Sequence, residues 1–371
     1  MIPLALLTAA TWAYLFLAHG RFWQAGPVLP LSFPHRAPPV AIVVPARDEA
    51  ESIRRAITSL LAQRYAGVFR VIVVNDGSTD GTGEALAAMA EPRLAVVAGA
   101  PRPEGWAGKL WAVSQGIAAA EDAEYLLLCD ADIEHDPAHL ASLLAQAERS
   151  GADLVSEMVR LSCESPAERA LVPAFVFFFQ LLYPFAQVND IKQKTAAAAG
   201  GTMLVRAAAL ARIGGIESIK GALIDDCALA AALKPHGKIW LGHSALAASI
   251  RPYPHAADIW RMVARSAYVQ LRYSPWLLLG TIAGMALVWF APILLAVFTH
   301  GAARWLGVAA WLASMAAYLP TLARFHLKPF WALLLPLIAA FYLAATIASA
   351  IHHHSGRGVV WKHRAYQGGG A

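Results

Sequence analysis

Three uncharged apolar runs close the chain, Trp276–Phe298, Trp305–Ala323 and Pro329–Ile351. They constrain the fold more than anything else in the sequence. A bilayer core about 30 Å thick is crossed by about 20 apolar residues at helical rise, so each run has the length to span. Water-soluble core helices of this length carry a polar stripe, and these carry none. The rest of the composition agrees. Of 371 residues, 58% are hydrophobic and only 15% charged, where a soluble domain has about 25% charged. The net charge of +5 is not gathered into a Lys/Arg run, which excludes a nucleic-acid grip and suits an anionic membrane surface or a phosphorylated substrate. Three cysteines, Cys129, Cys163 and Cys227, show no CxxC or Cys/His spacing, so neither a disulfide framework nor a structural zinc site is expected.

A fourth apolar stretch, residues 2–18, is followed rather than preceded by its basic residues, His19 and Arg21. A secretory signal has the opposite order. The expectation is an uncleaved N-terminal transmembrane anchor over 1–20, with the following segment cytosolic. The layout then reads as a soluble catalytic domain over 36–275, C-terminal transmembrane helices over 276–351 and a basic tail over 352–371. The aromatic segment Leu171–Ala186 contains Pro173 and Pro184 and is short for a span. It is expected to lie at the membrane surface, with a buried core helix as the alternative.

The soluble part alternates. Val40–Val44, ended by Pro45, then Val71–Val74, Leu94–Ala98 and Tyr125–Cys129 are short strand-like runs between helical patterns. Asp48 and Glu51 have the spacing of a capping box, with Ile53, Ile57, Leu60 and Leu61 recurring behind them. Strands alternating with helices imply an α/β fold whose mainly parallel sheet is covered on both faces, with ligands beyond the carboxyl ends of the strands.

Polar motifs fall at those ends. In Asn75-Asp76-Gly77-Ser78-Thr79-Asp80 a carboxylate follows a strand, where it can accept from a base N–H or a ribose hydroxyl; alone, it is equally an Asp-Gly turn. Asp130 and Asp132 end another strand at i and i+2, where two carboxylates converge on one hard cation or simply form a solvated acidic loop. Gly105-Trp106-Ala107-Gly108-Lys109 fails as a Walker loop because Pro103 and Leu110 break the pattern, yet Lys109 at a helix start can meet a phosphate. Asp225-Asp226 opens a helical run, where carboxylates are stabilised as anions. The cluster His352–His354 follows an apolar span and reads as an interfacial tail.

Together these motifs resemble family 2 glycosyltransferases of the GT-A fold, over roughly 40–270. Pro45-Ala46-Arg47-Asp48-Glu49 is similar to the family's first nucleotide-binding loop and Val74–Asp80 to its second. The resemblance implies donor binding by Pro45, Ala46, Arg47, Glu49 and Asp76, with Asp76 on the base. It also implies a Mg²⁺ or Mn²⁺ ion and diphosphate site at Asp130 and Asp132, with Asp132 the direct ligand. Gly200–Arg206 resembles the segment beneath the donor sugar, which places Gly201 there. Asp225-Asp226 stands where the family carries its acidic pair, making Asp226 the base, and Lys109 or Arg265 is expected to help the departing diphosphate. Many membrane-bound members carry Q/R-x-x-R-W after the base; here Met262-Val-Ala-Arg265-Ser266 keeps only the Arg. That departure implies one sugar moved to a lipid rather than a processive polymer synthase.

The overall layout, with the tail Gly358–Arg364, resembles the bacterial hopanoid-biosynthesis-associated glycosyltransferase group. An inner-membrane, multi-pass enzyme with a cytosolic catalytic domain and a nucleotide-sugar donor is implied. Three full C-terminal spans would put the tail outside, against its charges Arg357, Lys362 and Arg364. The expectation is a cytosolic tail, with Trp305–Ala323, the shortest run at 19 residues, re-entrant or interfacial.

Overall fold

The computed structural model describes residues 1–355 and, as backbone, 359–361 and 364–366. The chain divides into an α/β unit, 27–162 with 187–252, and a helical unit, 1–26 with 163–186 and 253–360.

Eight strands build the sheet of the α/β unit: β1 Val40–Ala46, β2 Phe69–Asn75, β3 Leu94–Ala98, β4 Tyr125–Cys129, β5 Ile133–His135, β6 Leu154–Arg160, β7 Thr202–Arg206 and β8 Ile239–Ser249. Their order is β3-β2-β1-β4-β7-β6-β8-β5. The half β3-β2-β1-β4 is parallel throughout; β7 runs antiparallel to both β4 and β6. The chain moves outward from β1 through β2 to β3, then returns to place β4 on the other side of β1. Loops leaving β1 and β4 diverge at that reversal and open a crevice between them.

The local reasons are visible in the sequence. Every residue of β1 is buried, as a strand covered on both faces requires. The helix Ile53–Leu61 buries Ile53, Ala56, Ile57 and Leu60, one stripe at helical spacing. Ile53, Ile57 and Leu60, removed from water, each contribute about 1.5–3 kcal/mol. On the other side, helix Gly108–Ala118 lies so close that a Cβ on Gly116 would stand 2.4 Å from Val43 Cγ1. That close approach fixes the helix whose first turn carries Lys109.

Two expectations change here. The strand does not end at Pro45 but runs to Ala46, with Pro45 opposite Val74. Pairing of β1 with β4 stops at Val43↔Leu128, so a residue without an N–H is accommodated beyond that point. The capping box at Asp48 and Glu51 is not formed either. The helix starts at Ile53 after Ser52, because Asp48 is left-handed, φ 50°, and its carboxylate is used elsewhere.

Among the described residues of the helical unit, three helices are long and apolar enough to cross a membrane: Pro275–Phe298, Gly301–Arg324 and Pro329–His354, of 24, 24 and 26 residues. At 1.5 Å per residue they reach about 36 Å or more, beyond the bilayer core. Gly301–Arg324 is one helix without reversal, which removes the re-entrant form expected of Trp305–Ala323. Its helical turns extend past the apolar run to Arg304 and Arg324 at its two ends. The N-terminal helix Ile2–Leu17 has 16 residues, about 24 Å and short of a full core. Arg357 and Lys362, two of the charges that favour a cytosolic tail, lie outside the described residues.

Pro292 explains one irregularity. It has no N–H for the carbonyl four residues earlier, and the preceding turn Ala286–Phe290 widens to a π-helix. The carbonyl of Val288 instead accepts the indole N–H of Trp12 at 2.9 Å. In an apolar surrounding that bond replaces one whose loss would cost several kcal/mol.

The segment Leu171–Ala186 is not a surface element of this unit. It belongs mostly to the helix Pro166–Leu182, started by a full capping box between Ser165 and Glu168. Phe177 is fully buried against Phe22, Trp289 and Tyr318, with ring centroids 5.0–6.0 Å apart. The core reading of this helix therefore prevails over the membrane-surface one. Phe177→Ala is expected to lower stability by about 3–5 kcal/mol through the cavity it leaves. Thermal unfolding of the detergent-solubilised chain reads this, and a change below 1 °C in midpoint would contradict the packing described.

Candidate active site

The loops after β1 and β2 are laced to each other. Backbone N–H groups of Asp48, Glu49 and Ala50 donate to Ser78 Oγ (3.1 Å), Thr82 Oγ1 (2.8 Å) and Asp80 Oδ2 (2.9 Å). In return, Asp48 Oδ1 accepts the Thr79 N–H at 2.9 Å. Gly77, φ 63°, makes the turn that brings these hydroxyls back, a conformation that only glycine adopts without strain. Arg47 lies across the pair: its Nη1 donates to the Asp76 carbonyl and stands 3.7 Å from Asp76 Oδ2. Asp76 is buried, as a carboxylate is when it is charge-paired.

Two cationic side chains organise the remaining acids. Lys109 Nζ lies 2.8 Å from Asp130 Oδ1 and 3.0 Å from Asp225 Oδ2. Burial opposes its charge, but the surrounding carboxylates, Asp130 first, outweigh that and raise its pKa. Lys109 bridges the end of β4 to the acidic pair. Arg251, just past β8, forms the second centre. Its Nε donates to Asp132 Oδ2 at 2.6 Å and its Nη2 to both oxygens of Glu49 at 2.8 and 2.9 Å.

Asp225 and Asp226 open the helix Asp225–Leu233. Asp226 Oδ1 accepts the Cys227 N–H at 2.7 Å. Burial and then the charge of Asp225 push the Asp226 carboxyl up to about 7, against the pull of Lys109 and the Cys227 N–H. A carboxylate poised there takes a proton near neutral pH far better than an ordinary aspartate. Beside it, a Cβ on Gly200 would stand 3.2 Å from Asp226 Oδ2, so glycine keeps that approach open. Gly201 accepts the Asp130 N–H through its carbonyl at 3.2 Å.

The α/β unit carries Pro45, Ala46, Arg47, Glu49, Asp76, Asp130, Asp132 and Gly201 on its strand ends and their loops, and Lys109, Asp225 and Asp226 on the first turns of two helices. Arg265 is the exception, since it falls on the helix Ala256–Gln270 of the helical unit. Arg251 is the residue that sequence reasoning missed. Its partners lie 119 and 202 positions away, and its only local signal is a basic residue directly after the last strand.

The residues fit a hard divalent cation. Burial first, and also the neighbouring Asp132 charge, push the Asp130 carboxyl up, though Lys109 opposes this; a cation between the two would relieve that repulsion. Among the described residues no group of three or more His, Cys, Asp or Glu converges. Two carboxylates are enough for Mg²⁺ or Mn²⁺, which commonly takes one or two and completes its shell from substrate phosphates.

Comparisons with known proteins agree with this architecture. A family model described as Glycosyl transferase family 2 matches residues 41–214. The succinoglycan biosynthesis protein ExoO of Rhizobium meliloti (strain 1021) is 35% identical over 119 residues, 32% of this chain and 32% of that protein. The chain therefore spans about a third of the length of this relative. Among solved structures, the mannosyltransferase PcManGT from Pyrobaculum calidifontis, in complex with GDP-Man and Mn²⁺, matches with a TM-score of 0.55 and 19% identity. That match covers 96% of this chain and 99% of that one, and at this identity it speaks for the fold: a GT-A-like mixed sheet covered by helices. Residues 41–214 are thus similar to glycosyl transferase family 2, in a chain with three helices, among the described residues, long and apolar enough to span a membrane.

Proposed function

We propose that this chain transfers one sugar, with inversion, from a nucleoside-diphosphate sugar to a lipid acceptor at the cytosolic face of a bacterial inner membrane. The observation that carries the reading is Lys109, held between Asp130 and Asp225. It joins the diphosphate end of the crevice to Asp225, the neighbour of the base Asp226. The three apolar helices support a lipid acceptor, and the layout they share with the hopanoid-associated group supports a hopanoid-related or polyprenyl lipid.

In this mechanism Arg47, Glu49 and Asp76 orient the nucleoside in the laced loops after β1 and β2. Gly200 and Gly201 leave room for the donor sugar. Asp226 removes the proton of the acceptor hydroxyl as its oxygen attacks the anomeric carbon. The bond to the diphosphate breaks on the opposite face, and the electron pair leaves with the nucleoside diphosphate. Lys109 stabilises the departing charge and keeps Asp225 beside the base. Bound at Asp130 and Asp132, Mg²⁺ or Mn²⁺ would neutralise the diphosphate, the role that suits a hard ion; the PcManGT complex with GDP-Man and Mn²⁺ supports this by shared fold. Holding donor and acceptor in line supplies much of the remaining acceleration.

The test is incubation of the purified chain with a panel of nucleotide sugars and a bacterial lipid extract, with products read by mass spectrometry. A lipid gaining one sugar mass is expected. Release of free sugar alone from every donor would overturn the lipid acceptor. The relative named for succinoglycan biosynthesis favours a second reading, a saccharide chain as acceptor, and products longer than one added sugar would establish that instead. Excess EDTA is expected to abolish transfer and Mn²⁺ or Mg²⁺ to restore it, while Asp132→Ala is expected to lower it about a hundredfold at saturating metal. Full activity in EDTA would remove the ion from the mechanism.

A further inference from the structure

We propose that Arg251 is a positioning residue: a tethered cation that holds Asp132 and Glu49 together before the site is loaded and competes with the divalent ion for Asp132. The inference rests on the reading of Asp132 as a metal ligand and adds a residue to it.

Three separate loops meet at this guanidinium. Glu49 follows β1, Asp132 follows β4, and Arg251 follows β8, so no local segment could hold the two acids in register. The fork does so, with Nε on Asp132 and Nη2 on both oxygens of Glu49. Planar, multidentate recognition of this kind is particular to arginine.

The stem of Arg251 is fixed. The Ile250 N–H donates to the Asp132 carbonyl at 2.9 Å, extending the antiparallel pairing of β5 with β8 in which Ile133 faces Ser249. The backbone beside Arg251 is therefore bonded to the backbone of the residue its side chain grips. Only side-chain rotation can separate them.

Exposure indicates which partner yields. The Asp132 and Glu49 side chains are 15% and 14% exposed, while that of Arg251 is 37% exposed. The acids sit deep and need a counter-charge, since a sheltered carboxylate left without a partner is costly. The guanidinium lies on the more open side and can rotate away. Lys109 differs, because it is 22% exposed and holds Asp225 as well as Asp130. Among the described residues, Arg251 is the ion-pair partner of Asp132. A cation taking Asp132 Oδ2 must displace it, and the tether then leaves the positive charge beside an incoming diphosphate.

The experiment titrates Mn²⁺ alone, without nucleotide, into the full chain in detergent and reads free Mn²⁺ by electron paramagnetic resonance. Arg251→Gln is expected to bind Mn²⁺ about fivefold more tightly than wild type, because a competitor of unit charge is gone. A merely structural arginine predicts weaker binding as the loops loosen. Arg251→Lys keeps the charge without the fork and is expected to tighten binding about twofold; it carries the test should Arg251→Gln not fold. Unchanged or weaker Mn²⁺ binding in the folded variants, while Asp132→Asn still weakens it, overturns the role of Arg251 and leaves the metal reading standing. If Asp132→Asn leaves Mn²⁺ affinity unchanged in both backgrounds, the metal reading itself falls.

Discussion

Asp226→Asn is expected to lower sugar transfer about a thousandfold while leaving donor affinity within about threefold, because the amide keeps size and hydrogen bonding but accepts no proton. The pH dependence separates this from a general disturbance. With the carboxyl pushed up to about 7 by burial and by Asp225, the base is protonated and idle in mild acid. Wild-type kcat/KM should therefore rise about tenfold per pH unit below that value and level off above it. In Asp226→Asn the residual rate should lose this rising limb. Folding stability carries the opposite sign. The folded state holds this proton more tightly than the unfolded chain, so the contribution of Asp226 falls as pH climbs from about 4 to about 7. A near wild-type rate in Asp226→Asn, or an unchanged rising limb, would assign the base elsewhere.

Glu49, Asp76, Asp130 and Asp132 could be read from sequence because each follows a strand announced by a short aliphatic or β-branched run. Leu94–Ala98 and Tyr125–Cys129 appear in the structure with the same bounds; Tyr125–Cys129 is buried throughout, as a strand covered on both faces requires, whereas Leu94–Ala98 is the partly exposed edge strand. What could not be read was who pairs with whom. The helix start of Lys109, preceded by glycines, suggests a phosphate contact but says nothing of the acids brought to it by β4 and by the helix Asp225–Leu233. The partners of Arg251 gave no local signal because its fork is assembled by sheet order. Asp48 misled as a helix cap because the loop after β2 offered its carboxylate the Thr79 N–H, a partner absent from local sequence. Leu171–Ala186 misled for a related reason. Aromatic residues suit a membrane surface and a packed helical core alike, and only the rings of Phe22, Trp289 and Tyr318 around Phe177 distinguish the two.

Lys109→Met is expected to reduce transfer about a thousandfold, comparably to loss of the base, although Lys109 takes no proton in the reaction. Its ammonium is the counter-charge shared by Asp130 and Asp225. Methionine fills similar volume and removes only the charge, leaving these acids and Asp226 crowded without it. Removing one partner of a sheltered ion pair costs about 3 kcal/mol, so the unfolding midpoint should fall as well. The decisive reading is again the pH profile. Lys109 favours the ionised form of Asp226, so its loss must push that carboxyl further up and move the rising limb to higher pH. A variant with lower stability and activity but the limb still near 7 would show Lys109 acting on the fold alone. A limb displaced by a unit or more, with activity partly recovered above pH 8, would establish that one lysine both receives the leaving charge and sets the base at its working pH.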